Sequence, residues 1–175
     1  MRTKLLPLAA TLICFAAASS AIAATQSAHV DLVNAQGATV GHAKLSATSG
    51  GVKISVEVMQ LTPGDHGIHI HNVGKCDGPA FTTAGGHFNP TSAHHGIHNT
   101  SDPKPHLGDL PNLAIGANGK GKLSFMVSGA TLDPGPNSLF HDGGTALVIH
   151  AKADDLMSDP SGNSGDRVAC GVIQQ

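Results

Sequence analysis

The chain of 175 residues contains no tryptophan and no tyrosine, and aromatic residues make up only 3% of it. Charge is also sparse: 10 Lys+Arg and 12 Asp+Glu give a formal net charge of −2. With neither a basic stripe nor aromatic stacking platforms, the chain lacks both usual devices for holding nucleic acid. No apolar run reaches the roughly 18–20 residues of a membrane span. An apolar content of 40% nevertheless excludes a disordered chain. The length fits one domain, or two small ones at most. What is abundant is histidine, at 12, and glycine, at 22. These supply many metal ligands and many turns.

Arg2 and Lys4 precede a nearly continuous apolar stretch from Leu5 to Ala18, and Ala21-Ile22-Ala23 fits a small-x-small cleavage site. The sequence therefore predicts a signal peptide over residues 1–23 and a mature domain over 24–175, periplasmic or secreted. Loss of the leader changes the formal charge to −4 and leaves two cysteines, Cys76 and Cys170. In an exported chain these read as one disulfide. It would close a loop of about 94 residues, a contribution of roughly 4–5 kcal/mol in the chain-entropy picture.

Past the leader the apolar pattern has period two. Val30 and Leu32 alternate with polar neighbours, Val52, Ile54, Val56 and Val58 do so most cleanly, and Ile68 and Ile70 alternate with His69 and His71. Leu113–Ile115 and Leu123–Val127 flank Asn118-Gly119, a hairpin signal. Ala146–His150 and Val168–Ile173 bring the expected count to about eight strands. No helical repeat persists, so the chain reads as all-β, a sandwich or flattened barrel. Two segments break the rhythm, one from Asn72 to Asn112 and one from Ala151 to Asp166. Long loops in a compact domain need something to order them.

Eight of the histidines lie between His66 and His106. His69 and His71 share a strand face, because side chains at i and i+2 point the same way. Five stretches then stand out: Gly67-Ile-His-Ile-His71, Gly86-His-Phe-Asn-Pro90, His106-Leu-Gly-Asp-Leu110, Leu147-Val-Ile-His-Ala-Lys-Ala-Asp-Asp155 and Arg167-Val-Ala-Cys-Gly-Val-Ile173. In order and wording they resemble the copper–zinc superoxide dismutase family across nearly the whole mature chain.

The resemblance implies an eight-stranded Greek-key β-sandwich or flattened barrel with two long functional loops. It implies one copper held by His69, His71, His87 and His150, and one zinc held by His87, His95, His106 and Asp109, with His87 shared. It makes His87 a proton carrier and Arg167 the fixed positive charge beside the copper, with superoxide as substrate. Asp154 matches a carboxylate that accepts hydrogen bonds from His69 and His95, and the Cys76–Cys170 pair matches the family's disulfide. The expected assembly is a homodimer, with a monomer as the alternative. His94 adjoins His95 and leaves a one-residue alternative, although the His-Gly order favours His95. His66, His98 and His141 match no family position, and His29 and His42 read as exposed. A metal-buffering or copper-delivery protein on this scaffold would be expected to lose ligands or the arginine. An adhesion module would leave the histidines unexplained.

Overall fold

The computed structural model describes residues 26–102 and 105–175. The leader expected over 1–23 and the junction before Ala24 lie outside the described residues.

Alternation decides the strands. In β3 (Gly51–Val58) Val52, Ile54, Val56 and Val58 are buried while Lys53, Ser55 and Glu57 are exposed, as a sheet with one wet face requires. β1 (Ser27–Asn34) and β2 (Thr39–Thr48) follow the same pattern. The alternation pattern alone leaves β2 unmarked, because its buried positions include Gly41 and Ala43, which give little apolar signal. The remaining strands are β4 (Gly64–His66), β5 (Ile68–His71), β6 (Leu113–Ile115), β7 (Gly121–Ser128), β8 (Ala146–His150) and β9 (Arg167–Val172).

Every pairing between these strands is antiparallel, in the order β4-β6-β7-β3-β2-β1-β9-β8-β5. The two ends of this order are consecutive in sequence and meet at Gly67. Its N–H bonds Lys152 O and its carbonyl accepts His150 N–H, so the sheet curls into a nearly closed barrel. The described residues form nine strands where about eight are expected: besides the unmarked β2, the stretch around Gly67 is two strands because the chain changes partner there, β4 pairing with β6 and β5 with β8. A side chain at Gly67 would sit 2.8 Å from Ser164 Cβ, so the turn has room only for glycine. The β3–β4 and β7–β8 links pass over intervening strands, the Greek-key arrangement.

Leu32, Leu45, Ile54, Ile68, Ile70, Leu147 and Ile149 belong to the cluster that fills the barrel. Phe81, Ala84, Ala146, Val148 and Cys170 form a second, smaller cluster, which explains why all of β8 is buried. Its cover is the long segment after β5. The sequence presents this segment as structureless, yet it forms a 3-10 turn at Thr82–Ala84. It also inserts Phe88 and Leu110 into the barrel core. A Cys76–Cys170 disulfide, with the Cα atoms 5.6 Å apart, ties it to β9.

Candidate metal centre

The barrel wall presents the first histidines. Ile68 and Ile70 point into the core, which turns His69 and His71 to the outer face of β5, opposite Val148 and Ala146 of β8. His150 ends β8, where a bulge between Ile149 and His150 sets it opposite Arg167. Bulges re-aim side chains in this way. The long loop then returns to β5 twice, through bridges His71↔His87 and His69↔Asp109. At Gly108 a side chain would lie 2.2 Å from Ile70 O, so the second return depends on glycine.

Among the described residues two groups of four ligand atoms result, each with all its members within 4.8 Å of one another. One joins His69, His71, His87 and His150; the other joins His87, His95, His106 and Asp109. In the first group His69 Nδ1 and the Nε2 atoms of His71, His87 and His150 are buried and have no hydrogen-bond partner among the described residues. Buried polar atoms are normally paired, so four orphaned nitrogens facing one space mark a site built for a cation. In the second group Asp109 Oδ1 lies 3.0 Å from His87 Nδ1, 3.0 Å from His95 Nδ1 and 3.3 Å from His106 Nδ1. His87 alone turns one ring nitrogen to each group. An all-imidazole set suits copper, and three imidazoles with one carboxylate suit a closed tetrahedral zinc.

Asp154 lies between the groups, from the loop after β8. Its carboxylate accepts hydrogen bonds from His69 Nε2 at 2.6 Å and His95 Nε2 at 3.1 Å, and from Leu156 N–H. Asn112 clamps its backbone, donating to Asp154 O and accepting from Asp154 N at 2.8 Å each. Nothing in the spacing of the sequence marks Asn112, because its partner lies 42 residues away. Burial discourages protonation of His69, His71 and His150, lowering them to about 3, about 2 and about 4. Burial also lowers His87. These rings are therefore neutral, the state a metal ligand requires. His95 is the exception: burial opposes its charge, but hydrogen bonds to Asp109 and Asp154 prevail and push it up to about 9. Burial would raise the Asp109 carboxyl, but the imidazoles of His106, His87 and His95 hold it well below the carboxylate range.

A cavity of about 460 Å³ opens onto His71, His87, His106, His150 and Arg167. The guanidinium of Arg167 donates to Phe81 O and Gly85 O, 2.6 Å each. Gly85 O also accepts from His71 Nδ1 at 2.8 Å, so one carbonyl orients both residues. Among the described residues lining this cavity, Arg167 is the sole lysine or arginine. Lys75 does not line it, and Lys104 lies outside the described residues.

The remaining histidines separate by contact. His66 is buried, its Nδ1 2.6 Å from His150 O and its Nε2 2.9 Å from Thr62 O, so it braces the backbone of His150. His141 stacks on Phe88, with ring centroids 5.5 Å apart, outside both groups. His94 turns away from them to Asp159. His29, His42 and His98 are exposed.

A Greek-key barrel carrying two ligand groups joined by one imidazole defines a binuclear metalloprotein class. The chain belongs to the copper/zinc superoxide dismutase family, whose model matches residues 39–173. It is 44% identical to copper–zinc superoxide dismutase 1 of Aquifex aeolicus over 164 residues, 93% of this chain and 96% of the relative. A crystal structure of a superoxide dismutase-like protein from Bacillus subtilis superposes with a TM-score of 0.78 at 38% identity, covering 85% of this chain and 99% of that one. The Cu/Zn superoxide dismutase of Brucella abortus superposes with a TM-score of 0.67 at 30% identity, covering 85% and 100%.

Proposed function

We propose that this chain dismutes superoxide outside the cytoplasm. Copper would be held by His69, His71, His87 and His150, and zinc by His87, His95, His106 and Asp109. The observation that carries this reading is the set of four buried, unpartnered ring nitrogens converging beside an anchored arginine. Two superoxide anions and two protons give dioxygen and hydrogen peroxide. Bound copper would supply the one-electron couple for both halves of this reaction, and bound zinc would have a structural role. The chain's own residues do the rest. Arg167 offers the anion a fixed positive charge at the cavity wall. His87 carries a proton at Nε2 while Nδ1 stays in the Asp109 group, and the buried rings of His69, His71 and His150 stay neutral.

A relative described only as dismutase-like makes metal buffering the rival reading. Stopped-flow measurement of superoxide decay with metal-loaded and metal-free protein decides between them. Catalysis by the loaded form is expected; full metal content without accelerated decay would favour buffering. Anomalous scattering at the copper and zinc edges tests the assignment, with His87 nitrogen expected about 2.0–2.1 Å from zinc.

The leader-like segment over 1–23 and the disulfide support an exported protein, periplasmic or secreted, whose mature N-terminus is Ala24. N-terminal sequencing of the exported form checks the cleavage. The family likeness supports a homodimer, which sedimentation would distinguish from a monomer.

Zinc binding is expected to release a proton at neutral pH. In the metal-free chain His95 carries a proton on each ring nitrogen, one facing Asp109 and one facing Asp154. Zinc held by His95 at Nδ1 would displace the first. Below about pH 9, affinity therefore falls by up to about tenfold per unit from this group alone. Calorimetry in buffers of different ionisation enthalpy counts the proton, and a buffer-independent heat would contradict the assignment.

The long segment 72–112 inserts few apolar anchors for its length, and ordering it carries a large entropy cost. Metal and the disulfide together should offset that cost. Chelation with reduction is therefore expected to raise amide exchange in 72–112 before β1, β2 and β3. Uniform protection in the reduced, metal-free protein would overturn this.

A further inference from the structure

We infer that Asp159 is a positioning residue for the zinc ligand His95, reaching it from the opposite loop through the backbone. This rests on the zinc reading above but assigns a residue outside both ligand groups. One carboxylate oxygen of Asp159, Oδ1, accepts the His95 backbone N–H at 2.5 Å, and the other, Oδ2, accepts His94 Nδ1–H at 2.7 Å. The two residues are 64 positions apart, so the contact joins the loop after β5 to the loop after β8.

His95 is thereby held at every polar atom. Its Nδ1 faces Asp109, its Nε2 faces Asp154, and its carbonyl accepts from Asn99 Nδ2 at 2.9 Å. Asn99 Nδ2 also donates to Met157 O at 3.0 Å, and His98 N–H donates to Leu156 O at 3.0 Å. At Gly96 a side chain would lie 2.2 Å from Leu156 O, so the two backbones touch without room for one. The turn 94–99 is therefore built against residues 156–159.

The His94–Asp159 side-chain hydrogen bond is half exposed on both sides, and such exposed contacts contribute little to stability. The bond to His95 N–H differs. It is charge-assisted, and it fixes where a wholly buried imidazole enters the ligand group. Outer partners of metal ligands typically alter metal affinity by about 10–100-fold when lost.

Zinc affinity measured by chelator competition, with the visible absorption of the cobalt-substituted site, tests this without reference to activity. Asp159→Ala is expected to weaken zinc about 10–100-fold and shift the cobalt bands. Asp159→Asn keeps an oxygen for His95 N–H and is expected to recover most of the affinity, and His94→Ala to stay close to wild type. Asp159→Ser, a smaller change, serves if the alanine variant does not fold. Zinc affinity in Asp159→Ala or Asp159→Ser within about twofold of wild type would overturn the inference. So would equal losses in the alanine and asparagine variants. If His95→Ala binds zinc as well as wild type, the zinc assignment itself fails, and the role of Asp159 with it.

Discussion

Asp154→Ala is expected to weaken both metals, each by about 10–100-fold. Its buried carboxylate accepts from one ring of each ligand group, His69 at 2.6 Å and His95 at 3.1 Å. Losing it leaves two buried imidazole N–H groups without an acceptor, at about 1–3 kcal/mol each. It also frees the rings to rotate or change tautomer. For His69 the consequence is direct: with Nε2–H held by Asp154, the unprotonated nitrogen is the Nδ1 that faces the first group. Gly162→Ala would crowd the same carboxylate at its other oxygen, since a side chain there would meet Asp154 Oδ1 at 1.7 Å and His95 Nε2 at 2.7 Å. Gly162 also has φ +62, a conformation that favours glycine. Competition titrations should therefore show alanine at 162 reproducing much of the Asp154 defect. Wild-type affinity for copper and zinc in Asp154→Ala would refute the bridging role.

Much of this candidate centre is legible in the sequence because the residues of its two groups sit in local patterns. His69 and His71 are two apart on a strand, and the Gly-His-Phe-Asn-Pro and His-Leu-Gly-Asp stretches are compact. The outer contacts are not legible. Asn112 meets Asp154 across 42 residues, Asp159 meets His95 across 64, and His66 meets His150 O across 84. Only the folded barrel brings those pairs together. Local pattern also hides β2, where small residues weaken the alternation, and the break at Gly67, where closure of the barrel changes the strand's partner. His66 lies in the His-Gly-Ile-His context, yet its two carbonyl contacts could not be read from that wording.

The second large effect is expected from the charge at the cavity wall. Superoxide is an anion, and a favourable field can raise encounter rates by ~10–10³-fold. From Ala151 to Asp166 the sequence offers Lys152 against Asp154, Asp155, Asp159 and Asp166. The fold sorts these charges. Asp154 is committed to His69 and His95, Asp155 to Asn163 and local N–H groups, and Asp159 to His94 and His95. Asp166 is exposed beside Arg167 and makes no side-chain hydrogen bond or ion pair among the described residues. Its charge is therefore expected to offset part of the arginine's attraction for an anion. Arg167→Ala is expected to lower the rate constant about tenfold or more, at the lower end of the range for steering. Asp166→Ser is expected to raise it at low salt. Added salt should erase that gain as the Debye length falls to about 8–10 Å. Loss of the anchored guanidinium should persist at high salt to the extent that it also positions the anion at the site, so the two variants should separate across an ionic-strength series. Rate constants for wild type and both variants, with metal content confirmed in each, make the comparison. An unchanged rate in Arg167→Ala would mean that the attraction arises elsewhere on the surface.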